Sequence, residues 1–122
     1  MKIAIVGASK EKWSEKDEMI VKKIIFGILK SDIEVVLVSG HSPKGGVDIW
    51  AEEVANKYGI KNEIYKPETF NWSGFKKRNI LIAQNCDILY AIEPVGRKHS
   101  GGLWTLNYAK KLGKPAFKIE IG

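Results

Sequence analysis

The sequence predicts an α/β fold in which a five-stranded parallel sheet is covered by helices on both faces. Short apolar runs alternate with amphipathic segments along the whole chain of 122 residues. Each connection between two apolar runs contains a helical pattern, as parallel strands require. The length corresponds to a single domain spanning residues 1–122.

Each element is predicted from its own local pattern. Short apolar runs that end at glycine or polar residues predict strands, and apolar residues at helical spacing, such as Ile24 and Ile28, predict helices. Ser14 or Asp17 is a candidate N-terminal cap of the first helix, and Gly59 ends the second. The predicted strands are residues 2–6, 34–38, 62–65, 87–92 and 115–121, and the predicted helices are residues 17–30, 47–58, 74–84 and 102–112.

The composition favours an anionic ligand and a reducing compartment. The net charge of +6 comes from 20 Lys and Arg against 14 Asp and Glu, which suits nucleotides, phosphorylated metabolites or nucleic acid, or else a lysine-rich surface facing solvent. The single cysteine, Cys86, can form neither an intrachain disulfide nor a cysteine-based zinc site. We expect a soluble cytoplasmic protein, because no signal peptide and no membrane-length apolar run is present.

Three Gly-containing loops lie at predicted strand-to-helix junctions and are candidate phosphate sites. Glycine lets backbone N–H groups approach an anion, and a helix N-terminus adds a positive dipole end. All three loops lie at the carboxyl edge of the predicted sheet, where such folds bind ligands. The candidates are Gly7, Ala8 and Ser9 in the first loop, Ser39, Gly40, Gly45, Gly46 and Asp48 in the second, and Ser100, Gly101 and Gly102 in the third.

Each of these residues also has a structural alternative. The glycines could serve only to make tight turns. Asp48 could compensate the helix dipole instead of touching a ligand. Arg78 and Asn79 fall in the first turns of their predicted helix, where a cation is unfavourable, so Arg78 is expected to pair with phosphate or with an acidic neighbour such as Asp48 or Glu52.

Other aromatic and titratable residues give weaker indications. Trp13 and Trp72 lie in predicted polar loops and could stack on a base or pack over the sheet edge. His41 and His99 could act as acid or base, but no orienting carboxylate is evident, and an exposed loop histidine is the simpler interpretation. Glu93, expected just after the fourth strand, could contact a ribose hydroxyl or pair with Arg97 in its loop. The histidines and Cys86 predict no metal site, and Cys86 is expected to be a core thiol.

Four motifs in order resemble those of the SLOG superfamily of Rossmann-like proteins, in particular its YspA-like and YpsA-like branch, which is related to DprA and the Lonely Guy phosphoribohydrolases. The first is the turn at Gly7, and the second is the loop ending at Asp48. Gly74 followed by Arg78 and Asn79 resembles a Gly-x-x-x-Arg-Asn signature, and the third loop resembles the late Ser-x-Gly-Thr loop.

The resemblance implies a three-layer Rossmann-like sheet of order 3-2-1-4-5 and the binding or sensing of a nucleotide or nucleotide-derived ligand. A nucleoside monophosphate N-glycosidase and a single-stranded nucleic-acid binding protein are the alternatives. The glycosidase would need a carboxylate from Asp48, Glu52 or Glu93, because Thr105 or Tyr108 stands where the family's catalytic glutamate is expected. Catalysis, the identity of any cofactor and homo-oligomer formation are left open by the sequence.

Overall fold

The computed structural model describes residues 1–30 and 34–122 and has the predicted architecture. Five parallel strands form one sheet in the order β3-β2-β1-β4-β5, as predicted. The strands are β1 Lys2–Gly7, β2 Val36–Ser39, β3 Lys61–Ile64, β4 Ile88–Pro94 and β5 Ala116–Ile121, and the helices are α1 Glu15–Leu29, α2 Val47–Lys57, α3 Trp72–Gln84 and α4 Gly101–Lys111, with a short 3₁₀ helix at Lys10–Lys12.

Strand β1 lies at the centre of the sheet and is buried on both faces. Its alternate side chains point to opposite sides, so Ile3 and Ile5 pack against α1 and α2 while Ala4 and Val6 pack against α3 and α4. This explains the uninterrupted apolar run at the start of the sequence. Strand β1 pairs with β2 on one side and with β4 on the other. The first three strands therefore extend the sheet in one direction from β1, and β4 and β5 extend it in the opposite direction.

Helix boundaries follow from local capping. Ser14 caps α1 in a capping box with Asp17, so both candidate residues take part. Asn71 caps α3 by accepting a hydrogen bond from the Gly74 amide at 3.0 Å. This helix therefore begins at Trp72, earlier than predicted, and Arg78 lies in its second turn, outside the region where the helix dipole disfavours a cation.

Strand β4 extends beyond its predicted end at residue 92. It continues to Pro94, so Glu93 lies within the strand and is fully buried. The expectation that Glu93 belongs to a loop was wrong. The ladder between β4 and β5 continues through Glu93 and Pro94 to Ile121, and this pairing keeps the backbone extended where local sequence indicated a loop. No helix in the described ranges is long and apolar enough to cross a membrane.

Candidate functional site

A cavity of about 260 Å³ opens at the carboxyl ends of β1 and β4, where the winding of the sheet reverses. This is the usual ligand position in open parallel sheets. Three cationic side chains and one carboxylate lie along it. The cavity is lined by Val6, Gly7, Ala8, Ser9, Ser42, Pro43, Lys44, Asp48, Trp72, Phe75, Arg78, Asn79, Ile82, Arg97, Ser100, Gly101 and Gly102.

The loop after β1 forms one wall of the cavity and is held by close backbone packing. A Cβ atom at Gly7 would lie 2.1 Å from the carbonyl oxygen of Ile92, so only glycine fits at that position. The Ala8 carbonyl accepts hydrogen bonds from the Val47 amide at 3.2 Å and from the Trp13 indole at 3.1 Å. The hydrogen bond from the Trp13 indole therefore stabilises the conformation of this loop.

The N-terminus of α4 forms the opposite wall. The Ser100 hydroxyl accepts from the Leu103 amide at 3.0 Å, and the Ser100 carbonyl accepts from the Trp104 amide at 2.9 Å. The first amides of a helix have no acceptor within the helix. Among the described residues, the amides of Gly101 and Gly102 have no hydrogen-bond partner, and both residues line the cavity.

Arg78 reaches the cavity from α3 in a fixed orientation. Its Nη1 donates to the Gly40 carbonyl oxygen at 2.7 Å, and its Nε donates to Oδ1 of Asn79 at 2.7 Å. The guanidinium carbon lies 5.5 Å from the centre of the Phe75 ring. Burial lowers the pKa of Arg78, and the charge of Asp48 opposes this shift. A guanidinium oriented in this way suits recognition of an anion.

Two buried donors near α4 have no partner among the described residues: Nδ2 of Asn79 and one terminal nitrogen, Nη1, of Arg97. The bond from Arg78 fixes the amide orientation of Asn79, so that Nδ2 points away from Arg78. A Cβ atom placed on Gly101 would lie 3.8 Å from this nitrogen. Both donors therefore belong to side chains that line the cavity beside the N-terminus of α4.

Within residues 1–30 and 34–122, Asp48 is the only carboxylate that lines the cavity. It is 6% exposed, and its Oδ2 accepts from the Ser42 amide at 3.2 Å. Burial raises the pKa of Asp48 to about 6, although the positive charge of Arg78 and the Ser42 hydrogen bond oppose the shift. A carboxyl group with such a pKa can exchange a proton near neutral pH.

Glu52, one turn after Asp48 on α2, connects this helix to the end of β2. Its Oε2 accepts from the Ser39 hydroxyl at 2.7 Å, and its Oε1 lies 2.7 Å from Nδ1 of His41. His41 adopts a φ of 49°, which is unusual for a residue other than glycine. No orienting carboxylate for His41 was evident from the sequence, and in the structure Glu52 occupies that position. Glu52 lies eleven positions further along the chain, and only the packing of α2 on the sheet brings the two together.

The structure places most of the predicted site residues around this one cavity. Nine line it: Gly7, Ala8, Ser9, Asp48, Arg78, Asn79, Ser100, Gly101 and Gly102. The other four, Ser39, Gly40, Gly45 and Gly46, lie outside the lining. Ser39 bonds to Glu52, Gly40 accepts from Arg78, and Gly45 and Gly46 pack against the backbone and side chains of residues 8–10.

Several lining residues were not predicted from the sequence, including Lys44, Phe75 and Arg97. A signal existed for two of them, because Lys44 stands inside the second Gly-containing loop and Arg97 stands just before the third. Trp72 lines the cavity mouth as the first residue of α3, edge-on to Trp104 at 5.5 Å. Cys86 is buried, as expected for a core thiol. In the described part of the chain no group of His, Cys, Asp or Glu could hold a metal ion.

Comparison with known proteins identifies the fold. No family model matches the chain, and no curated protein matches it. Two solved structures of the molybdenum cofactor carrier protein of Chlamydomonas reinhardtii resemble it, with TM-scores of 0.71 and 0.68. In each case the sequence identity is 19%, and the match covers 96% of this chain and 74% of the other. The chain therefore shares the three-layer Rossmann-like α/β fold of these structures.

Proposed function

We propose that this chain binds a nucleotide or nucleotide-derived small molecule in the cavity, with a phosphate group at the N-terminus of α4. The observation that carries the proposal is the pair of unpartnered buried donors, Asn79 Nδ2 and Arg97 Nη1, beside the free amides of Gly101 and Gly102. A buried donor without a partner costs about 1–3 kcal/mol. An anion accepting from these groups would remove that cost and gain from the helix dipole.

The charge of the cavity supports an anionic ligand. Lys44, Arg78 and Arg97 face a single carboxylate, Asp48. Arg78 is already bound through Nε and Nη1, so its remaining terminal nitrogen is available for a ligand oxygen. A ligand of one or two phosphates would bring this group of charges close to neutrality.

The aromatic residues at the cavity support a planar ring on that ligand. Trp72 is 49% exposed at the mouth, and its edge contact with Trp104 holds the ring in place. Phe75 lines the wall beneath Arg78. Stacking on an aromatic ring contributes about 1–3 kcal/mol per base.

Membership of the SLOG superfamily is part of the same proposal. All four motifs that resemble that superfamily contribute residues to this cavity: Gly7, Asp48, Arg78 and Gly102 are examples. The second loop contributes Asp48 from its end, while its glycines support the loop after β1.

The molybdenum cofactor is a second candidate ligand. Two solved structures with this fold belong to a carrier of that cofactor. At 19% identity the likeness to these structures concerns the fold, and binding of the cofactor is tested beside that of the nucleotides.

Cleavage of an N-glycosidic bond has less support than binding. Glu52 uses both carboxylate oxygens on Ser39 and His41, and it does not line the cavity. Glu93 is fully buried. Among the described residues that line the cavity, only Asp48 carries a carboxylate that a ligand could touch. Binding of single-stranded nucleic acid is supported mainly by the net charge of +6.

The test is a thermal-shift and calorimetric titration with NAD, ADP-ribose, AMP, a cyclic nucleotide, a short oligonucleotide and the molybdenum cofactor. We expect a nucleotide to bind and raise the melting temperature. Arg97→Ala should weaken binding about tenfold or more, since a hydrogen bond to a charged group contributes about 1.5–3 kcal/mol.

Lys98→Ala is the matched control, because Lys98 is the neighbouring exposed cation and lies outside the cavity lining. It should leave the affinity almost unchanged. Binding of the molybdenum cofactor alone would replace the nucleotide as ligand. Tight, strongly salt-dependent binding of the oligonucleotide alone would indicate nucleic acid instead. No response to any nucleotide at millimolar concentration would refute the proposal.

A further inference from the structure

Glu93 is a buried acid that the proposed function does not use. It is 0% exposed, and neither of its carboxylate oxygens has a hydrogen-bond partner among the described residues. A buried ionised carboxylate without partners is strongly unfavourable, so such groups usually hold a proton. Burial accordingly raises the pKa of Glu93.

The carboxyl group of Glu93 lies directly behind the cavity. A Cβ atom at Gly102 would be 3.3 Å from Oε2 of Glu93 and 3.2 Å from the Cα atom of Gly7. Gly7 and Gly102 both line the cavity. The acid is therefore separated from the proposed phosphate position only by two residues without side chains.

The charged groups around Glu93 do not pair with it. Arg97, in the loop after β4, and Lys118, on β5, lower its pKa through their charges but form no ion pair with it. Glu120 is aligned with Glu93 on β5 and pairs with Lys118 at 3.6 Å. On the helix side the facing polar group is Ser100, whose hydroxyl also lowers the pKa of Glu93.

We propose that Glu93 is a proton-binding site coupled to the cavity, so that an anion binds at the N-terminus of α4 while Glu93 is neutral and is released as Glu93 ionises. This inference rests on the proposed function. The physical reason is that a carboxylate and a ligand phosphate would compete for the same positive helix end and the same cation, Arg97, across a thin layer of low dielectric. By linkage, the anion complex then binds one more proton than the free protein wherever free Glu93 is ionised.

The experiment measures the affinity for ADP-ribose by calorimetry over a series of pH values from mildly acidic to mildly alkaline. Its pyrophosphate has no proton that titrates in this range, so the protein alone can take up a proton. We expect the affinity of the wild type to fall about tenfold for each pH unit above the pKa of Glu93. Glu93→Gln, which is neutral and of equal size, should bind tightly across the series.

Asp48→Asn is the companion variant, because Asp48 is the other acid near the anion and burial raises its pKa to about 6. In this variant the affinity for ADP-ribose should still fall with rising pH, because Glu93 is unchanged. Wild-type titrations in two buffers of different ionisation enthalpy measure proton uptake directly and need no folded Glu93 variant.

The outcomes separate this inference from the proposed function. Binding of ADP-ribose without proton uptake and with a flat pH profile would overturn the role of Glu93 and leave the binding function intact. An equal slope in the wild type and in Glu93→Gln would assign the proton to another group and also overturn it. Absence of binding of ADP-ribose and of every other nucleotide in the panel, even under mildly acidic conditions, would overturn the function itself, and the coupling with it.

Discussion

Nη1 of Arg78 donates a hydrogen bond to the carbonyl oxygen of Gly40 at 2.7 Å, which links α3 to the end of β2. The contact is tight, because a Cβ atom at Gly40 would lie 2.8 Å from both Nη1 and Cδ of Arg78. Arg78→Met keeps much of the aliphatic stem but removes the donor. We expect it to lower the free energy of unfolding by about 1.5–3 kcal/mol, measured by chemical denaturation.

Lys77→Met is the control for this variant, since Lys77 is an exposed cation on the same helix. Its effect should stay within about 0.5 kcal/mol. Equal destabilisation by the two substitutions would contradict a structural role for the Arg78 contact.

Gly46 stands where backbone conformation and packing both exclude a side chain. Its φ is +85°, and a Cβ atom there would lie 2.3 Å from the carbonyl oxygen of Ala8. Gly59 has a similar φ of +70°, but nothing lies within 4 Å of its Cβ position. We expect Gly46→Ala to cost about 2–5 kcal/mol and Gly59→Ala about 1–2 kcal/mol in unfolding free energy. Similar costs for the two variants would show that packing against the loop after β1 contributes little.

Ser39 anchors the buried carboxylate of Glu52. Its hydroxyl donates to Oε2 of Glu52 at 2.7 Å, and Ser39 itself is fully buried. Ser39→Ala leaves that oxygen without its donor, so we expect a loss of about 1–3 kcal/mol in thermal or chemical unfolding. Ser73→Ala, on the exposed surface of α3, should change stability by less than about 0.5 kcal/mol. A neutral Ser39→Ala variant would contradict the importance of this hydrogen bond.

Asp48 makes stability depend on pH in a defined direction. Burial raises its pKa from an ordinary 3.8 to about 6, so the folded protein binds its proton more readily than the unfolded chain. The contribution of Asp48 to stability is therefore greatest when it is protonated and declines as the pH rises from about 4 to about 7. A shift of roughly two units corresponds to about 3 kcal/mol.

Asp48→Asn cannot lose a proton but keeps an oxygen that can accept from the Ser42 amide. Over the same rise in pH, the free energy of unfolding of the variant should increase by about 3 kcal/mol relative to that of the wild type. Denaturation of both proteins at a series of pH values measures this difference. A difference that stays constant with pH would place the pKa of Asp48 near its unfolded value.

Much of the fold could be predicted from the sequence, because the signals are local. The apolar run that became β1 and the helical spacing of residues such as Ile24 and Ile28 report burial directly. The exceptions are also instructive. Glu93 is a polar residue followed by proline, a local pattern that is typical of a loop. The pairing of β4 with β5 nevertheless keeps Glu93 in the strand, where its carboxyl group is buried.

The candidate site could be predicted only in part. The sequence marked Gly7, Arg78 and Gly102 as candidates, and these residues lie around one cavity. Lys44 and Arg97 stand in or beside the predicted loops but carried no pattern that distinguished them from other surface cations. Nothing in the sequence related His41 to Glu52, whose contact depends on the position of α2 over the end of β2.

By itself, the sequence determined the order of strands and helices along the chain and the edge of the sheet at which the glycines gather, since these depend on the periodicity of apolar residues and on turn chemistry. The tertiary structure alone decided which polar groups are left without partners. Among the described residues, the groups that are buried without a hydrogen-bond partner include Asn79 Nδ2, Arg97 Nη1 and the Glu93 carboxyl. Helices and strands that are distant in the chain exclude water from them but supply no hydrogen bond in its place.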